Sequence, residues 1–317
     1  MKAAVVRGPG QTPAYADFPQ PVAGEGERLV RVTAAALTQL ARARASGAHY
    51  SASGDYPFVA GVDGVGRLED GARVYFLLPR APYGAFAEET VVSELQCAPA
   101  PADLDDVTAA AIANPGMSAW AALVERARLS PGETVLVNGA TGTSGRLAVQ
   151  IARRLGAKTV IATGRNPQAL ASLAALGADV AIPLGPDDAT LEKRLCEAFA
   201  DGVDVVLDYL WGRSAELILT AAARAAPKSA EIRFVQIGAM TGREIPLRAD
   251  ALRSTPISLM GSGLGSVPGP RLLAAIAALL AAAGPAGFQV AARAAPLAGI
   301  EAEWAAAEDG RRVVFVP

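Results

Sequence analysis

The sequence is poor in the side chains that bind transition metals or form disulfides. Its 317 residues include two cysteines, Cys97 and Cys196, and one histidine, His49. Two cysteines so far apart give no disulfide framework, which fits a reducing cytosol, so we expect a cytoplasmic protein. A tetrahedral zinc site needs several nitrogen or sulfur ligands. The sequence therefore predicts that the protein holds no zinc.

A strong charge of either sign is also absent. The formal net charge is −2, charged residues make up 19% of the chain, and the arginines are spread along it. No basic field exists that would hold nucleic acid non-specifically, so we expect no nucleic-acid partner. An apolar content of 51% excludes a disordered chain. A chain of this length and composition suits two well-packed domains.

Long hydrophobic runs are missing as well. The longest, Leu272 to Ala283, covers twelve residues and is followed by Gly284-Pro285. Because a bilayer span needs roughly twenty apolar residues, this run predicts a buried helix that stops at Gly284. The start of the chain, Met1 to Val6, enters a strand pattern without the apolar core and cleavage site of a signal peptide. We expect neither secretion nor a membrane partner.

Strand and helix patterns divide the chain into three segments and predict an α/β protein. Residues 1–111 carry short strand patterns between turns rich in Gly and Pro, typical of a rolled antiparallel β-barrel. Two helix patterns follow, one up to Ala113 and one from Pro115 to Ala127. The segment 112–265 then alternates strands and helices from Thr134 on, which predicts a doubly wound parallel sheet. Residues 266–317 mix both patterns and can return to complete the first domain.

The most informative pattern begins at Thr134. An apolar strand, 134–137, is followed by glycines at three-residue spacing, a helical pattern and a second apolar run, 159–163, which together make a βαβ unit. Glycine suits this turn because the backbone must approach a pyrophosphate, whose charge lies at the exposed N–H groups of the helix start. A small-residue turn in an Ala- and Gly-rich chain is the alternative. The predicted dinucleotide contacts are Gly139, Ala140, Thr141, Gly142, Thr143, Ser144 and Gly145.

The end of the second strand distinguishes between the two nicotinamide dinucleotides. An NAD site usually places Asp or Glu there, whereas this chain has Gly164, Arg165 and Asn166. Arg165 can stack on adenine and pair with a 2′-phosphate, which a carboxylate would repel. The sequence therefore favours NADPH (NADP) as the cofactor. The alternative is a solvated surface arginine.

Several motifs in order along nearly the whole chain carry a family resemblance. They are Ser46-Gly47, Pro57 to Gly66, Gly71 to Tyr75, Gly84 to Glu88, Val135 to Gly145, Leu176 to Asp179 and Gly310 to Pro317. Together they resemble a medium-chain dehydrogenase/reductase of the zinc-independent quinone oxidoreductase branch. The resemblance implies a GroES-like catalytic domain built from both ends of the chain, a Rossmann domain between them, a cofactor in the cleft and usually a homodimer.

The resemblance also bears on the metal and the reaction. The zinc-dependent relatives bind their catalytic metal at positions that hold Thr38, Val62 and Asn114 here. Without a Lewis acid, alcohol oxidation loses the group that lowers the hydroxyl pKa. Reduction of a quinone or an α,β-unsaturated ketone suffers less, because a hydroxyl, a backbone N–H or water can stabilise the developing oxyanion. We therefore expect an NADPH-dependent reductase of a small-molecule quinone or enone.

Individual site residues follow from the resemblance. His49 and Tyr50 follow Ser46-Gly47, where relatives often carry a tyrosine facing the cleft, and either can donate a proton or a hydrogen bond to the substrate. A loop pair packed at a domain edge is the alternative. Thr38 is a third catalytic candidate. The further cofactor contacts carried over are Asn114, Ser118, Ile237, Gly238, Ala239, Ser262, Gly263 and Leu264, with plain strand-end turns as the alternative for the loops.

A second class of function remains open. The Asn138-Gly-Ala-Thr-Gly turn also resembles that of NADPH-sensing regulators that bind the dinucleotide without turnover. The roughly 110-residue domain ahead of the turn favours a substrate site instead. A short-chain reductase is excluded because no tyrosine in the chain has a lysine four residues later. An RNA-binding function has little support from an acidic chain with few aromatic residues.

Overall fold

The structure is a computed structural model that describes residues 1–48, 55–306 and 310–317. The chain divides into two compact units. The first unit comprises Met1–Pro115 and Leu273–Pro317, and the second comprises Gly116–Leu272. The first unit is therefore assembled from two separate stretches of sequence, whereas the second is continuous.

The first stretch of the first unit is built mainly of strands. Its elements are β1 (Lys2–Val6), β2 (Ala14–Asp17), β3 (Glu27–Ala36), α1 (Gln39–Ala45), β4 (Phe58–Val59), β5 (Asp63–Leu68), β6 (Arg73–Leu77), β7 (Glu89–Ser93), β8 (Cys97–Pro99) and the start of α2 (Asp106–Ala121). The boundary between the units falls within α2, after Pro115. Strands β2, β1 and β4 form one small antiparallel sheet. Strands β3, β5, β6, β7 and β8 pair antiparallel in a larger sheet.

The C-terminal end of the chain completes this larger sheet. After α8 (Gly269–Ala286) come β15 (Ala292–Pro296), α9 (Ile300–Ala305) and β16 (Arg312–Val316). Strand β16 pairs antiparallel with β3, so that Phe315 lies opposite Ala35. The buried ring of Phe315 packs edge-on against Phe86 at a centroid distance of 5.1 Å. The last strand is thus part of the hydrophobic core of the first unit.

Helix α2 differs from the sequence prediction of two helices separated at Pro115. It is a single helix with Pro115 inside it, and a five-residue π-helical segment, Ala122–Arg126, extends it. Proline removes one backbone hydrogen bond and normally breaks or kinks a helix. Here Ala109 to Ala113 and Ala119 are fully buried. Tertiary packing of these small side chains stabilises the helix through the proline, because packing outweighs local propensity.

The second unit contains a six-stranded parallel sheet flanked by helices. Its elements are β9 (Thr134–Asn138), α3 (Thr143–Arg154), β10 (Thr159–Gly164), α4 (Pro167–Ala171), β11 (Val180–Pro183), α5 (Asp188–Ala200), β12 (Val205–Asp208), α6 (Gly212–Ala225), β13 (Ile232–Gln236), α7 (Ala251–Ser254) and β14 (Ile257–Gly261). The strand order is β11-β10-β9-β12-β13-β14. The order reverses between β9 and β12, and in such open sheets ligands bind outside the carboxyl ends of the strands at this switch point.

Helix α8 also differs from the expectation of a buried helix ending at Gly284. It continues through Pro285 to Ala286, and its buried residues, among them Leu272, Ile276 and Leu279, lie on one face. Among the described residues, α2 with its extension and α8 are long and apolar enough to cross a membrane by length and composition. About two thirds of the first and one third of the second are buried within the protein. Burial of this kind is typical of helices that pack on a protein core.

Candidate functional site

The glycine turn lies at the switch point of the parallel sheet. Gly139 follows β9 directly with φ +88°, in the left-handed region that favours glycine. Gly142 is the N-cap of α3 and supplies no side-chain hydrogen bond to the helix. A Cβ at Gly142 would have only the Gly139 carbonyl oxygen near it, at 3.9 Å, so the space in front of the helix is open. Backbone N–H groups at such an open helix start accommodate a diphosphate group.

The third glycine of the motif has a different role. A Cβ at Gly145 would lie 2.5 Å from Ala140 Cα and would also collide with the Gly139 carbonyl oxygen. Gly164, at the end of β10, has a similar restriction, because its Cβ would lie 2.5 Å from Thr141 Cγ2. These two glycines therefore permit the close approach of the turn, the helix and the neighbouring strand. Leu147 and Ala148 of α3 are fully buried, which fixes the helix against the sheet.

The residues after β10 occupy two distinct environments. Asn166 is the N-cap of α4, and its Oδ1 accepts hydrogen bonds from the N–H groups of Gln168 and Ala169, both at 3.0 Å. Arg165 is exposed. Asp179, the next carboxylate along the chain, accepts from Val160 N at 2.7 Å and pairs with Arg153. The end of β10 therefore presents a guanidinium group.

A buried polar network beneath the glycine turn was missed by sequence reasoning. Asn138 is the last residue of β9, and Asp208 is the last residue of β12. Asn138 Nδ2 donates to Asp208 Oδ1 at 2.8 Å and to Ser214 Oγ at 2.9 Å. Thr163 Oγ1 donates to Asn138 Oδ1 at 2.7 Å. The available signal was an Asn, a Thr and an Asp at the ends of otherwise apolar strand patterns.

The remaining predicted cofactor residues of this unit lie at or near the same edge of the sheet. Ile237, Gly238 and Ala239 follow β13, and the N–H groups of Ile237 and Gly238 donate to the Asp208 carbonyl oxygen. Ser262, Gly263 and Leu264 follow β14, and Ser262 N donates to the Gln236 carbonyl oxygen at 2.9 Å. Ser118 Oγ lies 3.3 Å from the hydroxyl of buried Tyr209. The topology thus places both loops and the glycine turn at the same edge of the parallel sheet.

The first unit holds the predicted catalytic candidates and the positions that correspond to zinc ligands in the zinc-dependent relatives. His49 and Tyr50 lie outside the described residues. Thr38 is buried and is the N-cap of α1, where its Oγ1 accepts from Ala41 N at 3.0 Å. Asn114 donates through Nδ2 to Asp63 Oδ1 at 3.4 Å. The structure therefore gives Thr38 and Asn114 definite contacts within the first unit.

Asp63 is a fully buried carboxyl group in this region. Tyr75, itself fully buried, donates to Asp63 Oδ2 at 3.0 Å. Burial raises the pKa of Asp63 to about 7, against the opposing effects of the Tyr75 hydroxyl, the Arg312 charge and Asn114.

Among the described residues, no group of three or more His, Cys, Asp and Glu side chains could hold a metal ion.

One relative matches nearly the whole chain, and a family model and a second relative match parts of it. The zinc-binding dehydrogenase family model matches residues 145–282. The chain is 31% identical to a probable NADPH-dependent quinone reductase, tdiC, from Emericella nidulans, over 96% of each protein. It is also 31% identical to prostaglandin reductase-3 from Bos taurus, over 73% of this chain and 60% of that protein.

Solved structures agree on the architecture. The quinone oxidoreductase from Thermus thermophilus, solved also in complex with NADPH, superposes with a TM-score of 0.82 at 30% identity, over all of both chains. A mycobacterial quinone oxidoreductase has the same fold, with a TM-score of 0.85 at 24% identity over all of both chains. The chain belongs to the medium-chain dehydrogenase/reductase family, and within it to the quinone oxidoreductase-like proteins.

Proposed function

We propose that the protein is an NADPH-dependent oxidoreductase that reduces a quinone or an α,β-unsaturated carbonyl compound. The observation that carries this proposal is the glycine turn at the switch point of the parallel sheet, open in front of Gly142 and followed after the next strand by Arg165 rather than by a carboxylate. The similarity to tdiC and to the Thermus quinone oxidoreductase supports the same conclusion.

The residues of the second unit fit such a cofactor. The N–H groups of the first turn of α3 would bind the diphosphate, for which Gly142 leaves space. Arg165 would pair with the 2′-phosphate, which NADH lacks. The segments 237–239 and 262–264, at the same edge of the sheet, would meet the rest of the cofactor through their backbone. NADPH, when bound, supplies a hydride to an electron-poor carbon of the substrate.

Side chains of the protein would then stabilise the negative charge that develops on the substrate oxygen. Addition of hydride to a quinone or enone leaves negative charge on the carbonyl oxygen, which a hydroxyl or imidazole can stabilise and protonate. Tyr50, His49 and Thr38 are our candidates for this role. Thr38 Oγ1 already accepts a hydrogen bond from Ala41 N, yet its hydroxyl proton can still be donated.

We propose that the reaction needs no zinc, although the matching family model is described as a zinc-binding dehydrogenase. The three positions that would hold the catalytic metal carry Thr38, Val62 and Asn114. None offers a thiolate or an imidazole, which are the ligands that zinc prefers. Quinones and enones are also already electron-poor, so their reduction depends less on a Lewis acid than alcohol oxidation does.

A cytoplasmic homodimer is part of the proposal. Strand β14 is the last strand of the parallel sheet on its side, and Leu259 in its middle is 39% exposed. An edge strand with an exposed apolar side chain is suited to pairing with a second copy.

The net charge of −2 gives no reason to expect nucleic-acid binding.

The test is a fluorescence titration of the purified protein with NADPH and NADH, followed by NADPH consumption with a panel of quinones and enones. We expect NADPH to bind at least tenfold more tightly than NADH and to be consumed with at least one member of the panel. Tight NADPH binding without turnover on any member would favour the non-catalytic sensor. Failure of both nucleotides to bind would reject the proposal.

A further inference from the structure

One residue, Thr163, accepts hydrogen bonds from the glycine turn through both its side chain and its carbonyl oxygen. Thr163 is fully buried near the end of β10. Its Oγ1 accepts from Gly139 N at 3.2 Å, and its carbonyl oxygen accepts from Ala140 N at 2.8 Å. The hydroxyl proton of Thr163 goes to Asn138 Oδ1, which leaves its lone pairs directed at the turn. The first two N–H groups of the turn are thus fixed by β10.

The same network continues to the loop after β12. Asn138 Nδ2 donates to Asp208 Oδ1, and that carboxylate also accepts from the N–H groups of Leu210 at 3.0 Å and Trp211 at 3.1 Å. Trp211 has φ +58°, which is uncommon for a residue other than glycine, and the carboxylate holds it there. The glycine turn and the segment 209–212 therefore share one buried carboxylate.

A steric contact joins the two segments as well. A Cβ at Gly139 would lie 2.9 Å from Leu210 Cδ2, so the side chain of Leu210 covers the turn directly. A movement of the turn would have to displace Leu210 or break a hydrogen bond to Thr163. Buried polar networks in which each member has its partners are rigid, because a lost bond leaves an unsatisfied buried group.

We propose that Thr163, Asn138 and Asp208 are positioning residues that fix the glycine turn in its diphosphate-binding shape before the cofactor arrives. The inference rests on the proposed NADPH-dependent function. All three side chains are fully buried, so they would not themselves contact a bound diphosphate. They act through the backbone of Gly139, Ala140 and the segment 209–212, and removal of their hydroxyl or amide groups weakens diphosphate binding in particular.

The experiment uses Thr163→Val, which keeps the shape of the side chain and removes both hydroxyl hydrogen bonds. Thr163→Ser retains the hydroxyl. Thr255→Val is the matched control, because Thr255 is a buried threonine in the same unit whose Oγ1 donates to Ala223 O at 3.3 Å, at the opposite edge of the sheet. Dissociation constants are measured for NADPH and for 2′-AMP, which lacks the diphosphate, and thermal unfolding is measured for each variant.

We expect Thr163→Val to weaken NADPH binding at least tenfold and 2′-AMP binding less than threefold. Thr163→Ser and Thr255→Val should stay within threefold of the wild-type protein for both ligands. An unchanged NADPH affinity in Thr163→Val overturns the inference, and so does an equal loss for NADPH and 2′-AMP, which would indicate general destabilisation. If wild-type protein binds 2′-AMP but not NADPH, or binds neither, the proposed function itself fails.

A second measurement on the wild-type protein covers the case in which Thr163→Val does not fold. Amide hydrogen exchange is followed without cofactor at Gly139 and at Gly10, a glycine in an exposed turn. A preset turn predicts that Gly139 N–H exchanges at least a hundredfold more slowly than Gly10 N–H. Equal exchange rates would show that the turn is not fixed before the cofactor binds, and would overturn the inference.

Discussion

Among the described residues, each unit buries one aspartate, and the two carboxyl groups have different partners. Asp208 accepts from two backbone N–H groups and from Asn138, next to the glycine turn. Asp63 accepts from the side chains of Tyr75 and Asn114. Burial raises the pKa of both groups, and that of Asp63 to about 7. The partners of Asp208 in the second unit are thus mainly backbone N–H groups, whereas the partners of Asp63 in the first unit are side chains.

This difference explains why the glycine turn can be predicted from the sequence and the side-chain cluster around Asp63 cannot. A backbone site needs residues without side chains at fixed spacing, and these appear as a glycine motif. A site built from side chains needs only that distant residues meet in the fold. The predictions below test the comparison, beginning with the largest expected effect.

A methyl group at the packed glycine should be far more harmful to folding than one at the open glycine. We expect Gly145→Ala to destabilise the protein by about 3 kcal/mol or more, since its Cβ collides with backbone atoms that cannot move aside. Gly142→Ala should cost at most about 1 kcal/mol, as loss of an N-cap glycine does, yet should weaken NADPH binding. Urea unfolding and NADPH titration measure both. Equal unfolding midpoints for the two variants would contradict the assignment.

The stability of the protein should fall as the pH rises between about 4 and about 7. Because the pKa of Asp63 is raised from 3.8 to about 7 in the folded state, its contribution is complete below the unfolded pKa and is lost as the pH passes the folded value. At about 1.4 kcal/mol per pH unit, the loss is at most about 4 kcal/mol. Urea unfolding between pH 4.5 and about 8 measures it.

Two variants sharpen this pH prediction. Asp63→Asn should reduce the slope, because the side chain no longer titrates. Tyr75→Phe should extend the loss to higher pH, since it removes the hydroxyl that donates to Asp63 at 3.0 Å and lowers the pKa of that carboxyl group. A slope in Asp63→Asn equal to that of the wild-type protein would assign the pH dependence to other groups.

Cofactor selectivity should depend on a single exposed side chain. We expect Arg165→Ala to weaken NADPH binding about tenfold to a hundredfold and to leave NADH binding within about twofold, because charge-assisted bonds to the 2′-phosphate account for the difference. Arg194→Ala is the control, since Arg194 is another exposed arginine of the same unit. Fluorescence titration gives the dissociation constants. An equal loss of affinity for NADPH and NADH in Arg165→Ala would contradict the contact between Arg165 and the 2′-phosphate.

Removal of metal should have no effect. We expect dialysis against a chelator to leave the NADPH consumption rate within about 10% of the starting rate, since the three metal positions lack the usual zinc ligands. Elemental analysis should find zinc well below one atom per chain. A zinc-dependent alcohol dehydrogenase treated in parallel should lose its activity. Activity that is lost with the chelator and restored by zinc would reject zinc independence.

Much of the second unit follows from local patterns. The strands from Thr134 to Gly261 and the glycine turn were predictable because apolar runs, glycines and helical periodicity are all local features. Two helix N-caps can also be predicted from the sequence, since Thr38 directly precedes α1 and Asn166 precedes Pro167, the first residue of α4. Both residues follow the usual rule for helix start signals.

The polar networks could not be predicted in the same way. Asn138 and Asp208 are 70 positions apart, and they meet only because β9 and β12 are neighbours in the sheet. The continuity of α2 through Pro115 depends likewise on burial by residues that are distant in sequence. Such contacts follow from the strand order and from packing, so a single sequence gives little indication of them.

The arrangement of the first unit has a consequence for synthesis on the ribosome. The second unit is complete when Leu272 has emerged, whereas the sheet of the first unit still lacks β16, which pairs with β3. Because Phe315 follows Phe86 by 229 residues and chains are made at about 5–20 residues per second, the edge of β3 and the ring of Phe86 wait roughly 10 to 45 seconds for β16. During nascent-chain growth the first 115 residues therefore expose an unpaired strand edge and apolar surface, which favours misassociation.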